Sequence, residues 1–382
     1  MKRLKGLSLF ANVGVAEAYL EESGVDILIA NELEEKRAEF YKHLYPDTNM
    51  IVGDITDDEI RKNIIEESIN NGIDFIIATP PCQGMSVAGK LDPLDPRNQL
   101  IYFAVEVIKQ VKPKFILLEN VPQQLKTKIR YNDELILIPE YIKRELEEDY
   151  NFNKEPLVKA MDYGVPQMRQ RSIFLMSRKD MEFIWEFPKK EEKIVTLRDA
   201  LWNLPSLDPI IKEGYDETID LFPDFEKKKE EAVKVSKWHK PPTHARRHVE
   251  WLLHTPTGQT AFDNEIYYPQ KSNGDRIKGH YNHYRRLEWE KPSRTITQNN
   301  GVISSLACVH PGKLIVDDGT EEGRIYSDPR CFSIYELLIV TSLPTDWNIP
   351  DWANERLIRS VIGEGIPPLL VKKIVGNLIN NI

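Results

Sequence analysis

The sequence predicts an α/β protein with a mostly parallel sheet, joined to a smaller and irregular second domain. In the first half, short apolar runs alternate with helical patterns, which is typical of parallel strands connected by crossover helices. After about residue 180 the sequence becomes rich in proline and charge and loses its periodicity for more than 100 residues. A chain of 382 residues is long enough for two lobes that each bury a core.

Six apolar runs are the predicted strands, and a helical pattern separates the fourth from the fifth. Helical patterning returns after the irregular region and again at the end of the chain. These elements together predict a doubly wound unit that the C-terminal helix completes. The strands are predicted at residues 4–10, 26–30, 50–52, 74–78, 115–118 and 172–176, and the helices around residues 101–108, 332–343 and 368–379.

A polar or conformationally special turn follows each of the first five predicted strands. Ligands of doubly wound sheets bind beyond the carboxyl ends of the strands, so we expect the five turns to form one crevice. The turns occupy residues 12–14, 31–32, 53–54, 79–82 and 119–121.

The composition is that of an ordinary globular protein, with 41% hydrophobic and 29% charged residues and no apolar run long enough to cross a bilayer. The first residues resemble a secretory signal, but Glu17, Glu21 and Glu22 follow too early, so we expect a soluble cytoplasmic protein. The three cysteines are too few and too scattered for a disulfide framework or a zinc site. No metal site is therefore predicted, and we expect Cys308 and Cys331 to be structural.

The formal net charge of −9 argues by itself against a nucleic-acid partner, but the charge is unevenly distributed. Residues 227–247 carry eight basic and two acidic side chains, and residues 271–294 carry seven basic and three acidic ones. An acidic protein with a basic middle can dock on phosphates. Each basic run taken alone is equally consistent with a solvated surface.

Cys82 is the candidate nucleophile of the crevice. It follows the fourth predicted strand in the segment Pro80-Pro81-Cys82-Gln83-Gly84, where fixed proline torsions and a permissive glycine would hold the sulfur rigidly. A thiolate suits the addition to C6 of a pyrimidine, which pushes electron density onto the otherwise poorly nucleophilic C5. A lone cysteine is more often an inert buried residue, but its position at a strand end favours a functional thiol.

Three further residues are placed to support this chemistry. Addition at C6 builds negative charge toward N3 and O2 of the ring, so a proton donor or a cation must face that edge. Glu119 follows the fifth strand and can share a proton with N3 if burial keeps its carboxyl partly neutral. Arg169 and Arg171, at the start of the sixth strand, can supply charge to O2 or hold the other two residues. A structural ion pair is the competing interpretation for each of them.

The motifs around these residues resemble those of the DNA cytosine-5 methyltransferases over residues 4–178 and 290–382. The resemblance implies a Rossmann-like S-adenosylmethionine-dependent methyltransferase fold, with Cys82 as the nucleophile, Glu119 as the partner of N3, and Arg169 and Arg171 as supporting basic residues. The ordered motifs are Phe10-Ala11-x-x-Gly14, Pro81-Cys82-Gln83, Glu119-Asn120-Val121, Asp162-Tyr163-Gly164-Val165-Pro166-Gln167-x-Arg169-x-Arg171 and Gly363-x-x-x-Pro367-Pro368.

The resemblance also implies a pocket for S-adenosyl-L-methionine. The sequence departs from the family pattern at Asn12, where glycine is usual, at Glu364, where asparagine is customary, at Leu33, where an aromatic residue often packs on adenine, and at Ser8, in place of a common aspartate. These departures concern the cofactor contacts and leave the catalytic set untouched. The implied pocket residues are Phe10, Asn12 and Gly14 under the methionine part, Glu32 at the ribose, Leu33, Asp54 and Ile55 at the adenine, and Pro81, Leu100, Glu364 and Gly365 around the rest.

By the same resemblance, residues 1–185 form a catalytic and cofactor-binding domain that residues 350–382 complete, residues 186–325 a target-recognition domain, and residues 326–349 a hinge. The middle lobe reads DNA in this family, and here donors to phosphates and base edges stand among aromatic residues. Three histidines of this lobe lie near one another without the ligand spacing of a metal site, so we expect them to be solvent-exposed or to face DNA. The predicted DNA contacts are Gln83, Ser86, Arg246, Arg247, Arg285, Arg286 and Arg294.

The predicted activity is methyl transfer from S-adenosyl-L-methionine to C5 of a flipped-out cytosine in a specific double-stranded DNA sequence, through a covalent bond between Cys82 and C6. A tRNA cytosine-5 methyltransferase of the same fold, usually with a shorter middle lobe, and an inactive DNA-binding relative remain as alternatives. An amino-methylating enzyme is disfavoured because Thr79 precedes and Cys82 follows the two prolines. We expect a monomer, and a cognate restriction endonuclease that acts separately is an open possibility.

Overall fold

A sheet of eight strands forms the centre of the part of the chain that the computed structural model describes, residues 3–81, 96–305 and 308–382. Three small two-stranded sheets lie outside it in the same described ranges. The strands are β1 Leu4–Leu9, β2 Val25–Glu32, β3 Asn49–Val52, β4 Phe75–Ala78, β5 Phe115–Asn120, β6 Lys128–Tyr131, β7 Glu134–Leu137, β8 Tyr150–Phe152, β9 Leu157–Lys159, β10 Gln170–Arg178, β11 Ile210–Ile211, β12 Thr243–His244, β13 Leu314–Val316 and β14 Ile325–Tyr326.

The strand order in the large sheet is β3-β2-β1-β4-β5-β10-β8, with β9 beside β10. Strands β1 to β5 are mutually parallel, whereas β10 runs antiparallel to β5. All residues of β4 and β5 are buried, because helices cover both faces of the sheet and a doubly covered strand reads as a continuous apolar run. The six predicted strands and the α/β class with a mostly parallel sheet are confirmed.

The helices enclose this sheet, and four of them lie in the middle lobe, where most described residues are in turns and irregular segments. The crossover helix predicted between β4 and β5 is confirmed, and it buries Ile101, Ala104, Val105 and Ile108 as its periodicity requires. No helix within the described ranges is long and apolar enough to span a bilayer. The helices are α1 Glu35–Leu44, α2 Asp58–Asn71, α3 Leu100–Val111, α4 Ile138–Leu146, α5 Leu197–Leu201, α6 Tyr215–Leu221, α7 Phe225–Val235, α8 Arg246–Leu253, α9 Ile334–Val340, α10 Glu355–Glu364 and α11 Pro368–Ile379.

The connection from β1 to β2 consists of successive turns over residues 11–24 instead of a regular helix. Phe10, Asn12 and Gly14 have φ angles of 58°, 51° and 82°, so three residues in five occupy the left-handed region. A Cβ atom on Gly14 would lie 2.1 Å from the ring of Tyr45, so only glycine fits this position. The turn that begins the crevice is therefore fixed by close packing.

Two large hydrophobic clusters hold the sheet, and a third joins distant parts of the chain. Helix α11 buries Leu370, Ile374 and Leu378 in the cluster that contains Phe75 and Trp185 on one sheet face. The third cluster combines residues of the β1–β2 connection with α5, α9, α10 and the segment around residue 289. Parts of the irregular middle region thus share a core with the region around the strand ends.

A buried charge cluster centred on Arg330 joins helix α9 to the middle lobe, where Arg330 Nε donates to the Leu207 carbonyl at 2.6 Å. Arg330 donates hydrogen bonds to Glu336 at 2.7 and 2.9 Å and to Asp328 at 2.7 Å, and all three side chains are buried. Burial raises the pKa of the Glu336 carboxyl, but the charge and hydrogen bonds of Arg330 outweigh this effect and bring the pKa to about 2. Removing one partner of such a buried pair is strongly destabilising because the other charge stays uncompensated.

His239, His244, His254 and His310 of the middle lobe are buried, so the expectation that the neighbouring histidines are exposed or face DNA is wrong for His239 and His244. The ring of His239 is hydrogen-bonded to the Ser333 hydroxyl at 2.9 Å, and His244 Nε2 accepts a hydrogen bond from the Cys331 amide at 3.1 Å. The expectation of structural cysteines is consistent with the burial of Cys308 and Cys331, whose sulfur atoms lie 3.5 Å apart. Both histidines serve the packing of the lobe.

The buried His244 predicts a loss of stability in acid. Its Nε2 atom is an acceptor, which requires a neutral ring, and burial together with nearby Arg359 and Arg330 lowers its pKa from 6.5 to about 3. The unfolded chain therefore binds a proton that the folded chain excludes as the pH falls from 6.5 toward 3. Each such group lowers the free energy of unfolding by up to about 1.4 kcal/mol per pH unit.

We expect His244→Asn to flatten the decline of the unfolding free energy between pH 6 and pH 5 by about 1 kcal/mol, measured by urea denaturation. The matched control is His280→Asn, at an exposed position of the same lobe, which should leave the slope unchanged. An unaltered slope in His244→Asn would show that this ring does not control the acid limb.

Candidate functional site

The strand-end turns meet at the carboxyl edge of the sheet, where connections from the neighbouring strands β1 and β4 leave in opposite directions. The backbone amide of Asn12 donates to the Glu32 carboxylate at 2.8 Å, and the backbone amide of Gly53 donates to the Glu32 carbonyl at 3.0 Å. The Thr79 hydroxyl donates to the Phe10 carbonyl at 3.1 Å. These contacts tie four of the five predicted turns into one crevice.

Asn120 fixes the turn that precedes the candidate nucleophile. Its amide nitrogen donates to the Pro80 carbonyl at 3.1 Å, while its amide oxygen accepts from the Val121 amide at 2.8 Å. The buried end of β5 thereby holds the Pro80-Pro81 turn in place. Cys82, Gln83 and Ser86 themselves lie outside the described residues.

Glu119 and Arg171 form a buried ion pair at this edge. Arg171 Nε lies 2.6 Å from Glu119 Oε1, and both side chains are about nine-tenths buried. The two residues face each other because β5 and β10 are antiparallel neighbours and Ile173, two residues after Arg171, is in register with Glu119. Burial raises the pKa of the Glu119 carboxyl above its usual range even though Arg171 and Arg169 oppose the shift.

Arg169 connects three distant segments around the crevice. Its Nη1 atom donates to the Ile296 carbonyl at 2.8 Å, and its Nη2 atom donates to the Glu364 carbonyl at 2.7 Å. The side chain is buried, so these two bonds are made in a site with little competing water. Arg171 meets the carboxyl of Glu119, whereas Arg169 holds the backbone around it.

The predicted cofactor residues surround the crevice on the side of β1 and β2. Glu32 is buried, and its carboxylate accepts hydrogen bonds from the amides of Asn12 and Glu34 at 2.8 and 2.9 Å. Burial raises the pKa of this carboxyl, chiefly because its surroundings solvate the charge poorly. The next residue, Leu33, exposes 62% of its surface although it directly follows the buried end of β2.

The remaining predicted pocket residues differ in how accessible they are. Asp54 is exposed and accepts from the Thr56 amide, whereas the Ile55 side chain is buried in the sheet core. Phe10, Pro81 and Leu100 are partly buried. A Cβ atom on Gly365 would lie 2.4 Å from Val15, so glycine is required where α10 ends against the first turn.

Asn12 and Glu364, two of the positions that depart from the family pattern, contact each other. The side-chain amide nitrogen of Asn12 donates to Glu364 Oε2 at 3.1 Å. Arg37 donates to both oxygens of the same carboxylate at 2.6 and 3.1 Å. Sequence reasoning missed Arg37, although an acidic residue in place of asparagine was a signal to search for a nearby cation. The Asn12 Oδ1 atom is buried and accepts no hydrogen bond from any described residue.

The predicted DNA contact at Arg286 is wrong, because this side chain is completely buried. Its guanidinium donates to the carbonyls of Leu252, His310 and Asp328 at distances between 2.9 and 3.2 Å. Burial lowers the pKa of Arg286, and its function is to close the core of the middle lobe.

Arg246 and Arg247 are adjacent in sequence but differ in environment. Arg246 is ion-paired with Glu217, with Asp220 at 3.1 Å and with Glu250 at 2.9 Å, so its charge is already compensated. Arg247 is exposed and lines a cavity of about 300 Å³ together with Lys271. The second residue is therefore the better candidate for a phosphate contact.

Arg285 and Arg294 are partly exposed and remain candidates for DNA contacts. Arg285 stacks over the Tyr281 ring at 4.4 Å, which is an exposed aromatic surface next to a cation. Arg294 donates to the Asn282 side chain, so both arginines border the segment that contains Tyr281 and Asn282. Base edges and phosphates are both recognised by such groups.

Comparison with known proteins places these features in context. The sequence profile of the family described as C-5 cytosine-specific DNA methylase matches residues 4–380. The Type II methyltransferase M1.HgaI of Avibacterium volantium is 41% identical over 384 residues, covering 99% of both chains. The Type II methyltransferase M.NgoPII of Neisseria gonorrhoeae is 34% identical over 206 residues, covering 53% of this chain and 57% of that protein.

Solved structures show the same fold at low sequence identity. A prophage-encoded E. coli protein has a TM-score of 0.66 at 22% identity, covering 99% of both chains. The Entamoeba histolytica methyltransferase EhMeth has a TM-score of 0.60 at 15% identity, covering 100% of this chain and 99% of that one. The sheet described above is thus the Rossmann-like sheet of methyltransferases.

The buried Glu119–Arg171 pair predicts that removal of Arg171 lowers the unfolding free energy by an amount that depends on pH. We expect Arg171→Leu to lower the unfolding free energy at pH 7 by about 3 kcal/mol, because Glu119 is left as an uncompensated buried charge. Protonation of Glu119 removes that charge, so most of the loss should disappear at pH 5. Urea denaturation of wild type and variant at both pH values measures the difference.

The control for this experiment is Arg144→Leu, which breaks the exposed pair of Arg144 with Glu140 and should cost less than about 0.5 kcal/mol at either pH. A loss in Arg171→Leu that is the same at pH 7 and pH 5 would contradict the role of the Glu119 charge.

Proposed function

The chain belongs to the C-5 cytosine-specific DNA methylase family, and from this premise we propose the reaction that its crevice carries out. The chain is a DNA cytosine-5 methyltransferase. In the proposed reaction it methylates C5 of a cytosine flipped out of a specific double-stranded DNA sequence, using S-adenosyl-L-methionine and a covalent bond from Cys82 to C6. The observation that carries the proposal is the buried Glu119–Arg171 pair beside the Pro80-Pro81 turn.

Glu119 is suited to meet the N3 edge of the ring. Burial raises its pKa, so the carboxyl can hold a proton and share it with N3 as charge develops during addition at C6. Arg171 holds the carboxyl oxygen at 2.6 Å and keeps a positive charge beside the developing anion. Arg169 acts on the surrounding backbone, through the carbonyls of Ile296 and Glu364.

The crevice residues fit the proposed cofactor. Glu32 offers a buried carboxylate suited to sugar hydroxyls, and the exposed Leu33 side chain offers an apolar surface for a flat base. The Asn12 Oδ1 atom, which accepts no hydrogen bond from any described residue, offers an acceptor for a cationic amine. When bound, S-adenosyl-L-methionine supplies the methyl group as an electrophile.

The target base has to leave the helix before reaction. Stacking hides both faces of a paired cytosine, yet C6 must be attacked by a sulfur from one face. In this proposal the crevice at the strand ends receives the extruded base, and Asn120 holds the turn that leads to the nucleophile. Extrusion costs a few kcal/mol, which the contacts of the middle lobe with DNA would offset.

Double-stranded DNA is favoured over tRNA as the substrate. The Type II methyltransferase relative covers 99% of this chain at 41% identity, so its likeness includes the middle lobe. By the same likeness we propose a place in a restriction-modification system, with a separate endonuclease as partner. We also propose that the methyltransferase acts as a monomer. Bisulfite sequencing of a DNA library incubated with the protein tests the reaction position and the site together; methylation confined to RNA would refute the assignment.

We expect Cys82→Ser to abolish methyl transfer while leaving equilibrium binding of S-adenosylhomocysteine within about twofold of wild type. The physical reason is that a thiolate, not a hydroxyl, adds readily to C6, while the cofactor residues lie on other strand ends. Methyl transfer is measured on duplex DNA, and a 5-fluorocytosine duplex should form a denaturant-resistant adduct with wild type alone. Near wild-type methylation by Cys82→Ser would refute covalent catalysis.

The two adjacent arginines of α8 should differ in their effect on DNA binding. Each phosphate contact contributes about −0.9 to the slope of log affinity against log salt. We expect Arg247→Ala to reduce the magnitude of this slope by about 0.9, because Arg247 is exposed beside Lys271. Arg246→Ala is the matched control with a smaller effect, since three carboxylates already compensate Arg246. Equal slopes for the two variants would place the DNA-binding face elsewhere.

A further inference from the structure

The Glu364 carboxylate is already occupied by donors from its own chain. Arg37 donates to its two oxygens at 2.6 and 3.1 Å, Ser360 donates at 3.1 Å, and Gln298 donates to the same oxygen as Ser360. Asn12 adds a fifth hydrogen bond at 3.1 Å. A carboxylate has about four lone-pair positions, so this group has no acceptor capacity left for a ligand.

Arg37 fixes the carboxylate through a partly buried two-pronged contact. It lies in the first turn of α1, which begins three residues after the ribose candidate Glu32. The side chains of Arg37 and Glu364 are about four-fifths buried, so water screens their attraction only weakly. A paired guanidinium and carboxylate of this kind imposes geometry as well as energy. Arg37 also meets Glu34 at 3.0 Å, but that carboxylate is exposed.

The carboxylate in turn sets the orientation of the Asn12 amide. Glu364 only accepts hydrogen bonds, so the Asn12 amide nitrogen must face it. The amide oxygen is then directed away from Glu364, and it is the buried Oδ1 atom that no described residue satisfies. The backbone of Asn12 is held as well, since its amide donates to Glu32 at 2.8 Å and its φ angle is 51°.

We propose that Glu364 is a positioning residue, which orients Asn12 so that its amide oxygen binds the ammonium group of the cofactor's methionine part. The inference rests on the proposed function, because it takes S-adenosyl-L-methionine as the cofactor. Asn12 and Glu364 therefore act as a pair, with Arg37 as their support, and Glu364 does not touch the cofactor directly. An ammonium group is matched by this acceptor because it has only donors to offer.

Comparing the binding of two ligands distinguishes the positioning of Asn12 by Glu364 from a general effect on the pocket. S-adenosylhomocysteine carries the amino-acid part of the cofactor, whereas 5′-methylthioadenosine lacks it. Glu364→Gln replaces one carboxylate oxygen with an NH2 group. This donor can pair with the Asn12 side-chain oxygen and so reverse the orientation of the Asn12 amide. We expect calorimetric titration to show about tenfold weaker binding of S-adenosylhomocysteine, which is about 1.4 kcal/mol, and less than a twofold change for 5′-methylthioadenosine.

Glu34→Gln is the matched control, because it removes the other carboxylate on Arg37 without touching Asn12. It should leave the affinity of both ligands within twofold of wild type. Asn12→Gly, which removes the amide and keeps the carboxylate, should reproduce the selective loss. In the Asn12→Gly background, Glu364→Gln should have no further effect on S-adenosylhomocysteine, because the two residues act through one contact.

Each other outcome overturns the inference. Equal weakening of both ligands by Glu364→Gln would mean a structural role, and no weakening of either would mean that Asn12 needs no positioning. If Glu364→Gln does not fold, Asn12→Gly decides the question alone by the same comparison. Wild-type protein that binds neither ligand would refute the proposed cofactor itself, which is a separate failure.

Discussion

The guanidinium of Arg169 holds together three segments on which the crevice depends. Its bonds to the carbonyls of Ile296 and Glu364 reach across 127 and 195 positions of the sequence. The backbone reinforces this junction, since the Met168 amide donates to the Ser293 carbonyl at 2.7 Å. A Cβ atom on Gly363 would lie 2.3 Å from the Thr297 carbonyl, which shows how closely the segments approach. The strand that begins beside this junction carries Arg171, so the junction also helps to position the Glu119–Arg171 pair.

Three buried or largely buried carboxylates around the crevice each have their own cation or amide donors. Glu119 has Arg171, Glu364 has Arg37, and Glu32 has the amides of two neighbouring turns. Isolated charges would be costly to bury, so these partners are a condition for placing carboxylates at a dry strand edge. At Glu119 burial outweighs the two arginines and raises the pKa of the carboxyl, which is the direction that the proposed chemistry requires.

The middle lobe shows why counting charges along the sequence overestimates a basic surface. Arg246 counts toward the positive stretch at residues 227–247, but Glu217 and Asp220 of helix α6 compensate it. Arg286 counts toward the second stretch, yet it is buried against backbone carbonyls. Neither partner set is visible in a local window, because both are created when separate segments pack. Of the two adjacent arginines, Arg247 is the more exposed and is therefore the better candidate for a phosphate contact.

By itself, the sequence determined the six strands, the crossover helix, the C-terminal helix and the positions of the strand-end residues. These features follow from periodicity and from the rule that parallel strands present their carboxyl ends at one edge, and both are encoded by neighbouring residues. Tertiary structure alone decided the left-handed turn at residues 10–14, the burial of Arg286 and His244, and the pairing of Glu364 with Arg37 and Asn12. Those partners lie 327 and 352 positions apart, and an ion pair or hydrogen bond depends on distance in space, which no local pattern specifies.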